Sequence, residues 1–410
     1  MRAEPSSLAS PIAPAPRYAP KGRIRLEFLD GIRALAALYV VLHHIYWTAV
    51  SGPDVHFPVW ALFLVGWTAY GSSAVGIFIV LSGYCLMLPV ARSSDASLPG
   101  GAWAYLKRRA RRILPPYYAA LALSLLLIAL CPGLRQPAGV RWDIALPAFT
   151  WDALLSHLFL VQNYSARLGS AIDPPAWTVA CEWQIYFLFP LILLPVWRRW
   201  NMAAAVAAAF LCGIAPHALL RLHFNSSWYP GLFALGMAGA VISFSKHSTV
   251  CAWRNRTSWL LTALVLAASA WLFAHFFGTA GPRFVLVDVL TGGAVLSLII
   301  DSTQRLQAGS AEAAQSLALR LFQSRGLVWV GTFSYSLYLI HDPMLALLHL
   351  FLRSLPLSTT ALLFLMYGIG IPLSVAASYV FYLLIERRFM PGHPRTEAEA
   401  ERAAAVSPAP

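Results

Sequence analysis

The chain has 410 residues, 59% of them apolar and only 11% charged, where soluble domains run near about 25% charged. That balance excludes an ordinary soluble enzyme and indicates a polytopic, all-α membrane protein. The formal net charge of +13 does not call for a nucleic-acid partner, because cytoplasmic loops of membrane proteins collect Lys and Arg.

Residues 1–25 open with a Pro, Ala and Ser-rich stretch and are expected to form a disordered cytoplasmic tail. Lys21, Arg23 and Arg25 precede the first apolar run, which would serve as an uncleaved signal anchor. Ten spans of about 17–25 residues follow, as a ~30 Å hydrocarbon core requires. They are read at 29–50, 71–90, 114–131, 176–197, 202–220, 228–245, 258–278, 284–301, 332–352 and 361–385. The apolar stretch 144–161 contains Asp152 and His157 and reads as interfacial or re-entrant. Residues 391–410 are expected to be a second disordered cytoplasmic tail, with no further catalytic domain attached.

With both termini inside, this map puts 23 of the 30 Lys and Arg on the inner face and six on the outer, with Arg33 inside the first span. The asymmetry supports the even span number and the orientation. No internal repeat is visible. The five cysteines have no C-x-x-C or metal spacing and read as small packing residues. Cys131 and Cys181 both fall near the outer surface, where a disulfide is allowed but not expected. No metal or tightly bound cofactor is expected.

Five segments carry candidate chemistry. In the first span Arg33 and His44 are eleven residues apart, on one helix face and about 16 Å from each other. A buried histidine can take a proton from a hydroxyl, and an arginine can hold a phosphate by a charge-assisted fork. Snorkelling and a helix–helix hydrogen bond are the plainer alternative. His43 points about 100° away from His44. In residues 71–87, Gly76, Ser82 and Gly83 permit close approach of a helix or a ligand. A basic run follows at Lys107, Arg108, Arg109, Arg111 and Arg112, then Pro115, Pro116, Tyr117 and Tyr118. It suits either anionic lipid or the phosphates of a cytoplasmic donor. Glu182 lies about two turns inside a span, between Trp177 and Gln184 and Tyr186, and needs a partner there. Pairing with His44 would orient the imidazole. Finally Ser334, Tyr335, Tyr338 and His341 form a polar stripe entering another span.

In order and spacing, these segments resemble the acyltransferase 3 family of integral-membrane O-acyltransferases, over roughly residues 26–390. The Arg and His of that family's opening span look like Arg33 and His44. Its F-F-x-x-S-G-F element resembles Phe78 through Tyr84. Its basic R-R-x-x-R-I-x-P-x-Y element is similar to Arg108, Arg109, Arg112, Ile113, Pro115 and Tyr117. Trp177, Thr178, Glu182, Gln184 and Tyr186 resemble its W-S-x-x-x-E-x-Q-x-Y element. Ser334, Tyr335, Tyr338, His341 and Pro343 resemble its S-Y-x-x-Y-x-x-H-x-P element, and Ile385 to Phe389 its closing I-E-R-x-F. The chain departs at Trp183, where a second glutamate is common, at Asp342, normally apolar or aromatic, and at Arg388, normally proline. Trp183 argues against a two-carboxylate mechanism. The other two are expected to tune substrate or loop geometry.

The resemblance implies a bacterial inner-membrane enzyme that moves an acyl group, most simply acetyl, from acyl-CoA to a hydroxyl. Arg33, Arg108, Arg109 and Arg112 would hold the donor phosphates. His44 would activate the hydroxyl, with Glu182 orienting it. Ser82, Tyr117, Trp177, Tyr186, Tyr335 and His341 would line the substrate path. Cell-surface or exported carbohydrate and secondary-metabolite hydroxyls, including macrolides, remain open as acceptors. Many relatives carry a fused extracytoplasmic hydrolase-like domain; without one, a second transfer step would need a separate protein. A transporter or flippase of a lipid-linked glycan is the alternative. It predicts movement without chemistry, and neither a repeat nor a pair of broken helices supports it. A non-catalytic membrane sensor would leave Arg33, His44 and Glu182 together without explanation.

Overall fold

The computed structural model describes residues 26–390, apart from 51–56, 94, 138–141, 143–145, 147–148, 221–225 and 279–280. The expected terminal tails at 1–25 and 391–410 lie outside the described residues. Every regular element among those described is helical. Ten helices correspond to the ten expected spans. They are α1 (Phe28–Val50), α2 (Ser73–Arg92), α3 (Gly101–Leu130), α4 (Trp177–Leu188, continued by Phe189–Leu193 and Leu194–Arg199) and α5 (Met202–Leu220). Then come α6 (Tyr229–Phe244), α7 (Trp259–Phe277), α8 (Pro282–Ala308), α9 (Ser334–Arg353) and α10 (Thr359–Leu384). Eight of the ten are long and apolar enough to cross a bilayer; α5 and α6 contribute the shorter apolar helices Met202–Pro216 and Tyr229–Phe244.

Three differences from the sequence map have physical causes. The basic run, left between two spans on the sequence map, is helical: α3 begins at Gly101 and carries Lys107 to Arg112 on a continuous helix. Lys and Arg are good helix formers, so α3 runs through them to prolines 115 and 116. At that point the Tyr335 hydroxyl donates to the Ile113 carbonyl at 3.1 Å. Residues 59–70, outside any expected span, form a short helix (Val59–Val65) and a 3-10 turn (Gly66–Tyr70). Their exposed Trp60, Phe63 and Trp67 suit a membrane–water interface. Third, α4 is broken by a π turn at Phe189–Leu193, where Pro190 removes a backbone donor.

The bundle core runs between α1, α2, α4, α6, α8 and α9. Close packing of α2 on α6 depends on two glycines. A Cβ at Gly83 would lie 1.9 Å from the Phe233 carbonyl oxygen, and one at Gly236 would lie 2.1 Å from that of Val80. α1 is seated between α2, α9 and α10 and the helix Arg325–Thr332; among the candidate spans only α9 is more enclosed, and these two helices are the best-shielded scaffolds for functional side chains.

Among its described residues, the segment expected to be interfacial contains only the eight-residue helix Trp151–Leu158, about 12 Å long and too short to span. Two tyrosines of α3 hold its end: Tyr117 donates to the His157 carbonyl at 3.0 Å and Tyr118 to that of Leu158 at 2.7 Å. All five cysteines are free thiols, Cys131 and Cys181 among them.

Candidate active site

Helices α1, α2, α3, α4 and α9 enclose a cavity of about 380 Å³, at the low end of the ~300–1,000 Å³ typical of small-molecule sites. On α4, Thr178, Glu182 and Tyr186 recur every four residues, so one stripe of that helix forms a wall. Opposite stand Asp30 and Arg33 from α1, Ser82 from α2, Arg109 and Arg112 from α3, and Tyr335 and Tyr338 from α9. Met390, just beyond α10, also lines it.

Three arginines meet here, each held differently. Arg33 Nη1 is 2.6 Å from Asp30 Oδ1, and its Nη2 donates to Cys85 Sγ at 3.0 Å. Arg112 Nη2 is 2.8 Å from Oε1 of the fully buried Glu386, whose Oε2 accepts the Ser336 backbone N–H at 3.1 Å and the Ser336 hydroxyl. Arg109 makes no ion pair among the described residues. Arg109 Nε and Arg112 Nη1 are buried donors with no acceptor among those residues. Unspent guanidinium donors at a cavity are suited to a phosphate or carboxylate.

Glu182 belongs to this cavity. Its Oε1 accepts the Ser82 hydroxyl at 2.6 Å and the Tyr186 hydroxyl. Trp183, standing where a second carboxylate was considered, instead meets Phe187 edge-on with ring centroids 5.1 Å apart.

A second cluster lies past Tyr338. That residue closes the cavity with Thr178, whose hydroxyl donates to the Tyr338 oxygen at 2.7 Å, and with Phe78, 6.0 Å away ring to ring. On its far side Tyr338 meets His341, with ring centroids 5.9 Å apart. His341 Nε2 is 2.7 Å from His44 Nδ1, and Asp342 Oδ1 is 3.1 Å from the same nitrogen. All three residues are buried.

Seven of the expected site residues therefore line one cavity: Arg33, Ser82, Arg109, Arg112, Glu182, Tyr186 and Tyr335. His44 and His341 join each other one tyrosine away. The expected His44–Glu182 pairing is corrected: the carboxylate against the imidazole is Asp342, because α9 and not α4 faces that turn of α1. Arg108 is exposed and donates to the Pro99 carbonyl at 2.8 Å, since the helical period turns it off the face shared by Arg109 and Arg112. Tyr117 is buried on the His157 carbonyl and accepts from Gln162 Nε2 at 3.1 Å, outside the cavity lining. Trp177 likewise falls outside that lining, its ring stacked on Tyr229. Asp342 and Tyr338 are the functional candidates that residue reading under-weighted. An ionisable residue within a span was the available signal for Asp342.

The acyltransferase domain family matches residues 26–383. The acyltransferase MdmB of Streptomyces mycarofaciens is 27% identical over 344 residues, covering 78% of each chain. The peptidoglycan O-acetyltransferase OatA of Listeria monocytogenes is 22% identical over 337 residues, covering 78% of this chain but only 49% of its own length. The present chain thus spans about half of that second relative. No solved structure matches.

Proposed function

The chain belongs to the acyltransferase 3 family and is a multi-pass membrane acyltransferase, and on that premise we propose that it acylates a hydroxyl with an acyl group from acyl-CoA. The donor enters from the cytoplasmic face of a bacterial inner membrane. Its phosphates are held by Arg33, Arg109 and Arg112. Glu182 fixes the Ser82 and Tyr186 hydroxyls along the wall that the acyl-pantetheine arm follows. The acceptor approaches from the side of His44. Its oxygen forms the ester bond as the carbon–sulfur bond breaks. The hydroxyl proton goes to His44, and the CoA thiolate leaves and is protonated in turn. The name of the OatA relative supports acetyl as the group and a cell-surface carbohydrate as the acceptor.

One observation carries this reading: a buried imidazole with a carboxylate beside it stands one tyrosine away from a cavity with three arginines and unspent guanidinium donors. Glycan transport would require neither a base nor a donor site.

The test is release of free CoA thiol from acetyl-CoA by purified protein given cell-envelope glycan, comparing wild type with His44→Ala. Release by the wild type and none by a folded variant is expected. Equal release from both would remove His44 from the mechanism.

A further inference from the structure

We propose that Asp342 is the positioning residue of the His44 base, and that His341 fixes which nitrogen of His44 takes the proton. The inference rests on the acyl-transfer reading; it adds Asp342, a departure from the motif, and gives His341 a role other than lining the substrate path. Proton counting along the contacts gives the direction. His341 Nδ1 lies 3.0 Å from the Leu337 carbonyl oxygen, which can only accept, so this nitrogen carries the hydrogen. A neutral imidazole has one N–H, so His341 Nε2 is an acceptor. It sits 2.7 Å from His44 Nδ1, which must then be the donor. The nitrogen of His44 left unprotonated is Nε2, and that is the basic atom.

Asp342 Oδ1 faces the same Nδ1–H from 3.1 Å. A carboxylate there opposes the positive charge that His44 acquires when Nε2 takes a proton, and it holds the ring against rotation. Isolated, it would be an expensive residue at 4% exposure inside a span. Set against a histidine that must become cationic, its cost has a use. Glu182 cannot fill this place while Ser82 and Tyr186 hold it in the cavity. Among the described residues, the other titratable groups placed near His44 include His43 on α1, 5.7 Å ring to ring, Tyr338 against His341, and Tyr367 of α10, which reaches the Leu42 carbonyl at 3.4 Å. Arg33 lies three turns along α1, paired with Asp30.

The experiment measures kcat and KM against pH for full-length wild type, Asp342→Asn and Asp342→Glu, with His44→Ala as reference. Asp342→Asn should lose roughly 10²-fold in kcat while KM for acetyl-CoA stays within about twofold. Without the carboxylate the imidazolium is less stable, so the acid limb of kcat should move about one pH unit lower. Asp342→Glu should recover most of the rate. A merely structural aspartate would scale the whole profile down without moving the limb, and that result overturns the proposal, as does an unchanged kcat. If His44→Ala is inactive while Asp342→Asn is normal, only this inference fails. If His44→Ala turns over normally, the acyl-transfer assignment of the base fails instead. An independent reading needs no Asp342 variant: ¹⁵N-histidine spectra of wild type, with His44 assigned by difference from His44→Ala, should show the Nδ1–H tautomer. The Nε2–H tautomer overturns the proposal.

Discussion

Two carboxylates, Glu182 and Asp342, are set into the same bundle with opposite neighbours, and the neighbours decide what each can do. Glu182 accepts two hydroxyl hydrogens and so organises a wall; Asp342 faces an imidazole and so answers a charge. Removing Glu182 as Ala strands the Ser82 and Tyr186 hydroxyls, at about 1–3 kcal/mol for each donor left unsatisfied. Transfer should drop more than roughly 10²-fold, whereas Glu182→Gln, which keeps an acceptor oxygen, should retain more activity than Ala. Identical rates for the two variants would remove the carboxylate's acceptor role from the account. Arg109 offers a cleaner probe of the donor site because it makes no ion pair among the described residues. Arg109→Met should raise KM for acetyl-CoA about tenfold and leave KM for acetyl-pantetheine, which lacks phosphates, unchanged. An equal rise for both donors would mean that Arg109 does not read phosphate. At this scale the sequence was legible wherever an ionisable group interrupts an apolar helix, as at Arg33, His44 and Glu182. It was not legible for pairing. Whether His44 meets Glu182 or Asp342 depends on which of two helices faces one turn of α1, and spacing within a single helix contains no such information.

Helix boundaries were legible where apolar runs end in charge, and not where charge itself is helical. The start of α3 shows this: five cations that the span map leaves between two spans are turns of a helix, and that places Arg109 and Arg112 on the cavity face while Arg108 turns away. Packing of α2 on α6 was foreshadowed by the small residues around Ser82, and it yields a definite expectation. Gly83→Ala puts a methyl 1.9 Å from the Phe233 carbonyl oxygen, so the helices must separate. A loss of about 1–3 kcal/mol, read as a lowered Tm in detergent, is expected; an unchanged Tm would mean that the crossing is looser than described. The helix Trp151–Leu158 gives a pH signature. Burial pushes the His157 imidazole down to about 4, from 6.5 when exposed. The unfolded chain therefore takes up its proton first as pH falls. Stability from this residue is complete above about 6.5 and is lost as pH drops toward about 4, by up to roughly 3 kcal/mol. The Tm of wild type should fall between pH 7 and pH 5 more steeply than that of His157→Leu. Parallel slopes would assign the acid sensitivity elsewhere.

Over the whole molecule, the segment after α10 is tied back to α3 and α9. Glu386 is fully buried between Arg112 of α3 and Ser336 of α9, so the last described turn closes the cavity floor alongside Met390. Glu386→Gln leaves Arg112 without its counter-charge and should cost about 2–3 kcal/mol, less than a fully buried pair because Arg112 is partly exposed. Donor affinity should weaken as well, measured as KM for acetyl-CoA on the fraction that remains folded. A lower Tm with unchanged KM would make the tie purely structural. The partition formed by Tyr338, Thr178 and Phe78 has a consequence of a different kind. Arginines and carboxylates reach inward from one end of the bundle, and histidines stand just beyond them. Joined by water, such a file of proton-accepting groups would short-circuit the membrane on which it depends. A packed partition of Tyr338, Thr178 and Phe78 would interrupt that file, so that titratable groups could sit at depth without leaking protons. In sealed vesicles, wild type should therefore hold a pH gradient, and Tyr338→Ala should let it collapse.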